Sequence, residues 1–340
     1  MIEQRSPEKV VAAAAPRTGD EAAFTNAAMQ YRRELQVHCY RMLGSFHDAE
    51  DAVQETLLRA WRYRDSLTES APLRPWLYRI ATNACLDAIK RDRRRVNLRA
   101  SAENGATNAA AEISWLEPYP DALLEPVAPR QSEPDAQIIT KENIELAFLT
   151  VIQLLTPQQR AALILRDVLD WSARETAELL EMSVAATNGA LQRARTTLRR
   201  HLPARGREWP AGTDATQAER ELLGKYIEAS EKPDPSAFAA IIREDAIFRM
   251  PPDPTFVTGR DAMIKLWVDG GFGDASIGSI RCALTRANRQ PAVANYVRKP
   301  GDSAYRAMAL DVLQVRNGLI TEIIAFGPDV FASFGLPAVL

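Results

Sequence analysis

Asn188, Gln192, Arg193 and Thr196 follow one another at steps of four, one and three, so on a helix they share a face with Gly189. Side-chain amides pair with adenine edges, guanidinium groups with guanine or phosphate, and a hydroxyl with either kind of base. The chemistry of this face is recognition, not bond making. Residues 183–207 carry six arginines and no acid, a net +6, which suits a polyanion. Gly189 lowers helix stability by roughly 1 kcal/mol; close backbone approach to a groove and simple drift both account for it.

A second set has the same character. Arg79, Asn83, Asp87, Lys90 and Arg94 recur at steps of three and four behind Trp76, and residues 76–95 hold six basic and two acidic side chains. Cations attract phosphates, an amide bonds base edges, and an indole stacks where a base has left its partner. The plain alternative is a core tryptophan on a surface helix whose basic end answers its dipole. A third set, Asp51, Gln54 and Glu55, lies at i, i+3, i+4 opposite the apolar stripe Ala49, Ala52, Val53, Leu57, Ala60, Trp61. By itself such a trio is a solvated helix surface.

Other chemistry is poorly provided for. Cys39, Cys85 and Cys282 are far apart, and His38, His47 and His201 have no metal-ligand spacing. A zinc site or disulfide framework is not expected, and reduced thiols in a cytoplasm are the default. No stretch approaches the roughly 18 apolar residues that cross a bilayer. The net charge of −2 excludes a uniformly basic DNA-coating protein and hides the local patches. Neither metal nor cofactor is expected.

The elements that must position these sets fall into blocks. Residues 1–20 read as a disordered leader, and 21–96 as a helical domain. Residues 97–139 read as an acidic linker: 101–139 holds seven acids, one arginine and five prolines, the composition of an extended tether and not of a packed element. Helical periodicity returns over 140–202. Thr156-Pro157 starts one helix and Ser172-x-x-Glu175 is a capping box for a short second one. After the turn Glu181-Met182-Ser183, a third helix runs from Val184 and buries Val184, Thr187, Leu191, Ala194 and Leu198. This is a helix-turn-helix, whose last helix enters a major groove. A linker over 203–215 leads to an α+β domain over 216–340. There, helices near 219–231 and 260–268 mix with strands at 279–287, 292–298, 304–316 and 319–326, the last two joined by the hairpin signal Asn317-Gly318.

Three motifs, 51–61 (Asp51 to Trp61), 75–87 (Pro75 to Asp87) and 155–160 (Leu155-Thr-Pro-Gln-Gln-Arg160), resemble the sigma-70 family, within it the extracytoplasmic-function (ECF) sigma factors. The resemblance covers about 24–95 and 140–201. It implies that Asp51, Gln54 and Glu55 dock on the clamp helices of core RNA polymerase, with a further contact to its flap. It implies that Trp76, Arg79, Asn83, Lys90 and Arg94 melt and read the −10 promoter element. Asn188, Gly189, Gln192, Arg193 and Thr196 would read the −35 element. The short spacing between the blocks leaves no room for the middle domain of housekeeping sigma factors. Trp115-Leu-Glu-Pro-Tyr-Pro-Asp121 resembles a subgroup carrying a fused SnoaL-like domain, a cone-shaped α+β fold, and by analogy the acidic linker threads the polymerase channel.

Phe248, Met250, Phe256, Trp267 and Tyr296 are candidates to line a pocket in that cone, with core packing as their default role. Asp311 and Asp245 are carboxylates that burial would turn into bases. The domain has no histidine, which disfavours catalysis. The expected protein is a non-enzymatic, two-domain helical factor directing polymerase to promoter DNA, with a C-terminal domain that modulates it under a small ligand; an anti-sigma partner is left open. The alternatives are a stand-alone helix-turn-helix regulator sensing a ligand, and a SnoaL-type enzyme with a DNA-binding appendage.

Overall fold

The structure, a computed structural model, describes residues 21–67, 72–91, 116–124, 146–201, 217–251, 253 and 256–340. The first block is a bundle of α1 (Glu21–Met29), α2 (Arg32–Leu43), α3 (Phe46–Arg62) and α4 (Leu73–Arg91). Helix α2 ends at Gly44, whose φ of 77° is left-handed and whose N–H returns to Tyr40 O; a glycine meets this requirement without Cβ strain. Ser45 then caps α3 by accepting from Asp48 N, so the sharp α2–α3 corner is written in two adjacent residues. Leu35, Cys39, Leu43, Val53, Leu77 and Ala81 fill the centre of the bundle.

The second block holds α5 (Leu146–Gln153), α6 (Pro157–Leu163), a π turn over Ile164–Val168, α7 (Ala173–Leu179) and α8 (Val184–His201). Both expected starts are capping boxes, Thr156 with Gln159 and Ser172 with Glu175. Thr187, Leu191 and Ala194 are buried as the periodicity requires, but Val184 is exposed. It occupies the first turn of α8, beyond the reach of the packing helices.

The third block has α9 (Gln217–Glu231), α10 (Pro235–Ile241), β1 (Ile242–Arg249), β2 (Phe256–Thr258), α11 (Arg260–Asp269), β3 (Ser279–Ala287), β4 (Gln290–Arg298), β5 (Arg306–Arg316) and β6 (Leu319–Phe326). The sheet order is β2-β1-β6-β5-β4-β3, antiparallel except where β1 runs parallel to β6. Alternation divides its residues between two cores. Ala246, Phe248, Val293, Leu313 and Ile323 face α9–α11. Ala292, Ala294, Tyr296, Leu310 and Val312 face the other way, into a core continuous with the two helical blocks.

That continuity depends on residues 116–124. This part of the linker is packed, against the expectation of an extended tether: Leu116 and Tyr119 are buried. Tyr119 lies against Tyr40 and Phe46 with ring centroids 4.9 and 5.3 Å apart. The acidic composition had concealed one apolar and aromatic anchor among prolines.

Candidate nucleic-acid interface and the contacts that hold it

On α8, Asn188, Gln192, Arg193 and Thr196 are exposed on one face and Gly189 is half-buried beside them. Thr196 Oγ1 donates to Gln192 O, so its hydroxyl is partly committed. Arg195 points elsewhere, in a bidentate pair with Asp167 at 2.6 and 2.9 Å. The set is therefore a continuous polar surface presented outward by the buried stripe Thr187, Ala190, Leu191 and Ala194.

On α4, Arg79, Asn83 and Lys90 are exposed behind the buried Leu77, Ala81, Ala84 and Cys85. Asp87 is engaged by Arg59 NH1 at 3.0 Å. Arg94 lies outside the described residues. Trp76 is partly buried: Phe24 of α1 meets its ring edge-on at 6.3 Å, and meets Trp61 at the same distance. Helix α1, through its buried Phe24, covers one side of this indole.

On α3, Asp51 and Gln54 are exposed. Glu55 is held by Arg59 Nε at 2.7 Å, which makes Arg59 a bridge between α3 and α4. Those two carboxylate contacts raise the guanidinium pKa.

The unforeseen feature is the C-terminal end of α2, where several parts of the chain converge. A helix end leaves carbonyls unpaired and a partial negative charge. Gln153 Nε2 donates to Arg41 O at 3.2 Å, and the Arg160 guanidinium donates to Met42 O while also serving Ile152 O and Gln153 O at 2.9 and 2.7 Å. Glu117 N donates to Gly44 O at 3.0 Å. Glu117 Oε2 accepts from Ser45 Oγ and His47 N, both at 3.1 Å. Arg160 closes the motif 155–160 that identified the second block; that it faces the first block needed the structure.

The third block joins through the β3–β4 turn. Asn288 and Arg289 adopt φ of 55° and 61°. Asn288 N donates to Tyr119 O at 2.9 Å, and Asp121 accepts from Arg289 N at 2.7 Å and Arg286 Nε at 3.4 Å. Burial raises the Asp121 pKa against these two favourable contacts.

The pocket candidates do not converge. Phe248, Trp267 and Asp311 face the α9–α11 side, with Phe248 and Trp267 edge to face at 5.6 Å. Tyr296 faces the opposite side, where Phe331 meets it at 5.3 Å. Met250 and Phe256 are exposed. Phe238 contacts Tyr226, Trp267 and Phe272 with centroids 5.1 to 5.6 Å apart, so aromatic rings pack this side of the sheet. Asp245 is a surface carboxylate paired with Arg243, which lowers its pKa; it is no raised-pKa base. Asp311 is buried with its pKa pushed up to about 6 by desolvation, opposed by bonds from Tyr226 and Asn295.

His38, in the core of the first block, is kept neutral by burial and then by Arg41, its pKa drawn down to about 3. Among the described residues no three His, Cys, Asp or Glu groups are placed to hold a metal ion, and no helix is long and apolar enough to cross a membrane.

Family models match three parts of the chain: Sigma-70 region 2 over residues 27–95, Sigma-70, region 4 over 145–198, and a SnoaL-like domain over 223–323. Two helical sigma regions followed by a SnoaL-like domain define the class. The ECF RNA polymerase sigma factor SigG of Mycobacterium tuberculosis is 40% identical over 327 residues, covering 94% of this chain and 85% of the relative. This chain therefore belongs to the ECF sigma factors. SigW of Bacillus subtilis is 29% identical over 184 residues, 54% of this chain and 91% of its own length. The crystal structure of the M. tuberculosis ECF sigma factor SigJ shares the fold with a TM-score of 0.58 and 24% identity, over 92% of this chain and 99% of that one.

Proposed function

We propose that this chain binds core RNA polymerase and directs it to promoter DNA, supplying placement and strand opening while the polymerase supplies chemistry. The observation that carries the reading is the outward presentation of three separate polar sets on ECF sigma regions: Asp51 with Gln54, Arg79 with Asn83 and Lys90, and Asn188 with Gln192 and Arg193. The first set is assigned to polymerase, together with Glu55. The second reads the −10 element and the third, with Gly189 and Thr196, the −35 element. Residues 21–96 and 140–202 are the two functional domains and 216–340 is a regulatory one. The chain acts without catalysis of its own.

Regulation by the third block is supported by how it is attached. Its β3–β4 turn grips residues 119–121, and the same segment grips the end of α2 that also receives Gln153 and Arg160. A DNA-reading pair fastened at a common node must loosen as a unit.

The test is capture of core polymerase by the wild-type chain and by an Asp51→Ala/Gln54→Ala/Glu55→Ala variant, followed by run-off transcription. Loss of capture in the variant alone is expected. Absence of capture by the wild type supports a stand-alone regulator. Deletion of residues 213–340 is expected to change transcription, and unchanged promoter activity and polymerase affinity remove the regulatory part. Asn83→Ala is expected to harm −10 use and Gln192→Ala to harm −35 choice.

A further inference from the structure

Tyr305 is flanked by two arginines. The guanidinium carbons of Arg281 and Arg298 lie 4.6 and 4.8 Å from its ring centroid, and its hydroxyl is 3.0 Å from Ser279 Oγ. Strand register places Ser279 opposite Arg298 and Arg281 opposite Tyr296. This cluster therefore sits at the open end of the β3–β4 hairpin, away from the turn that grips the linker. Eight residues of strand separate the two ends, roughly 27 Å. Arg281, Arg298 and the neighbouring Lys299 and Arg306 are all exposed.

Four other arginines of the domain are placed differently. Arg243, Arg249, Arg260 and Arg286 each lie within ion-pair distance of a carboxylate. Among the described residues neither Arg281 nor Arg298, nor the neighbouring Lys299 and Arg306, has such a partner. Arg281 and Arg298, 4.6 and 4.8 Å from one ring, lie inside about the 10 Å screening length of 0.1 M salt and repel one another. The field is felt locally: the Tyr305 hydroxyl is drawn below its ordinary pKa by the Ser279 bond and then by Arg298 and Arg281, against a smaller opposing effect of Glu231, whose carboxylate accepts from Cys282 N. Guanidinium groups backed by a ring are preorganised and weakly hydrated, the state in which arginine binds phosphate best. A duplex offers about one negative charge per 1.7 Å of axis, a density that engages several cations at once where an isolated carboxylate engages one.

We propose that Arg281 and Arg298 around Tyr305, with the neighbouring Lys299, form a third DNA contact, to the phosphate backbone of the duplex and independent of base sequence. The inference rests on the reading of the chain as a promoter-directing factor. It adds a site on the third block to the two helical faces.

The test uses holoenzyme assembled from core polymerase and the full chain, on a duplex from which the wild type initiates. Affinity is measured across salt concentrations for the wild type, Arg281→Ala/Arg298→Ala and Arg281→Lys/Arg298→Lys. Because each phosphate contact contributes about 0.9 to the slope of log affinity against log salt, the alanine variant is expected to lose about 1 to 2 of that slope and to bind roughly threefold to tenfold more weakly. The start site should stay the same, the lysine variant should keep the slope, and all three chains should melt alike. Equal slope and affinity in wild type and alanine variant overturn the proposal. So does weaker capture of core polymerase at unchanged slope, which assigns the patch to an acidic protein surface. A wild-type chain that initiates nowhere removes the underlying reading instead.

Discussion

The side-chain amide of Asn288 donates to the Tyr40 hydroxyl at 2.9 Å, and that hydroxyl donates to Glu117 O at 2.6 Å. One turn of the third block is thereby bonded to α2 of the first through a single phenol. Asn288 is fully buried, and its Oδ1 accepts from Tyr119 N at 2.7 Å. Burial drives the Tyr40 pKa far up, so the hydroxyl stays a donor at every physiological pH.

Asn288→Ala removes both side-chain bonds and puts an alanine at a left-handed φ of 55°. Together these should weaken docking by about 2–3 kcal/mol. Asn288→Gly removes the same bonds but relieves the backbone, and should weaken it by about 1–2 kcal/mol. Hydrogen exchange over residues 116–124 and the radius of gyration in solution read the effect. Faster exchange and expansion are expected in both variants, more in alanine; native protection in both would show that the turn is not what holds the linker.

Gly44 tests the contact between the two helical blocks. A Cβ at its φ of 77° is strained and would stand 3.0 Å from Gln153 Cδ. Gly44→Ala should cost about 2 kcal/mol, of which the backbone share is about 1 kcal/mol. Adding Gln153→Ala removes the clash but leaves the backbone cost, so the pair should be less than additive in denaturant melts. Strict additivity would mean that the two side-chain positions do not meet in solution.

Gly189 separates stability from recognition. A Cβ there meets only Arg193 NH1, at 3.4 Å, the mobile end of a side chain. Gly189→Ala should therefore stabilise α8 by up to about 1 kcal/mol. If the backbone must approach a groove at this point, the same variant binds −35 DNA more weakly. A stabilised variant with native DNA affinity would leave drift as the account of this glycine.

The recognition faces were legible in the sequence because helical period and cap chemistry are local. Asn188 and Gln192 share a face on spacing alone, and Ser172 with Glu175 announces its helix without any tertiary partner. The Asn317-Gly318 hairpin was legible for the same reason, with φ of 51° and 74°. The strand β1 was not, since Arg243, Glu244 and Asp245 interrupt its alternation; it is held by pairing with β6, far along the chain. Asp234 and Pro235 are a cap and first-turn pair that could have revealed α10. The node at α2 depends on contacts between residues more than a hundred positions apart, such as Arg160 with Met42, and no local pattern encodes them. Tyr296 and Asp311 were paired as pocket residues although strand alternation sets them on opposite faces, a consequence of register that only the observed ladder fixes.

Asp311 makes the third block sensitive to pH. Its Oδ2 accepts from Tyr226 Oη at 2.9 Å and from Asn295 Nδ2 at 2.5 Å, but burial dominates and raises its pKa from 3.8 to about 6. The folded state thus binds this proton more tightly than the unfolded chain. The resulting stabilisation is complete below about pH 4 and is lost as pH rises through about 6, a difference on the order of 3 kcal/mol. Asp311→Asn keeps an acceptor for both donors and cannot ionise, so it should flatten the profile between pH 5 and pH 8 and stabilise the block at the upper end. Calorimetric melts of the full chain across that range decide it. Parallel profiles for wild type and variant would place the pH dependence elsewhere and show that the Asp311 charge is solvated in the folded state.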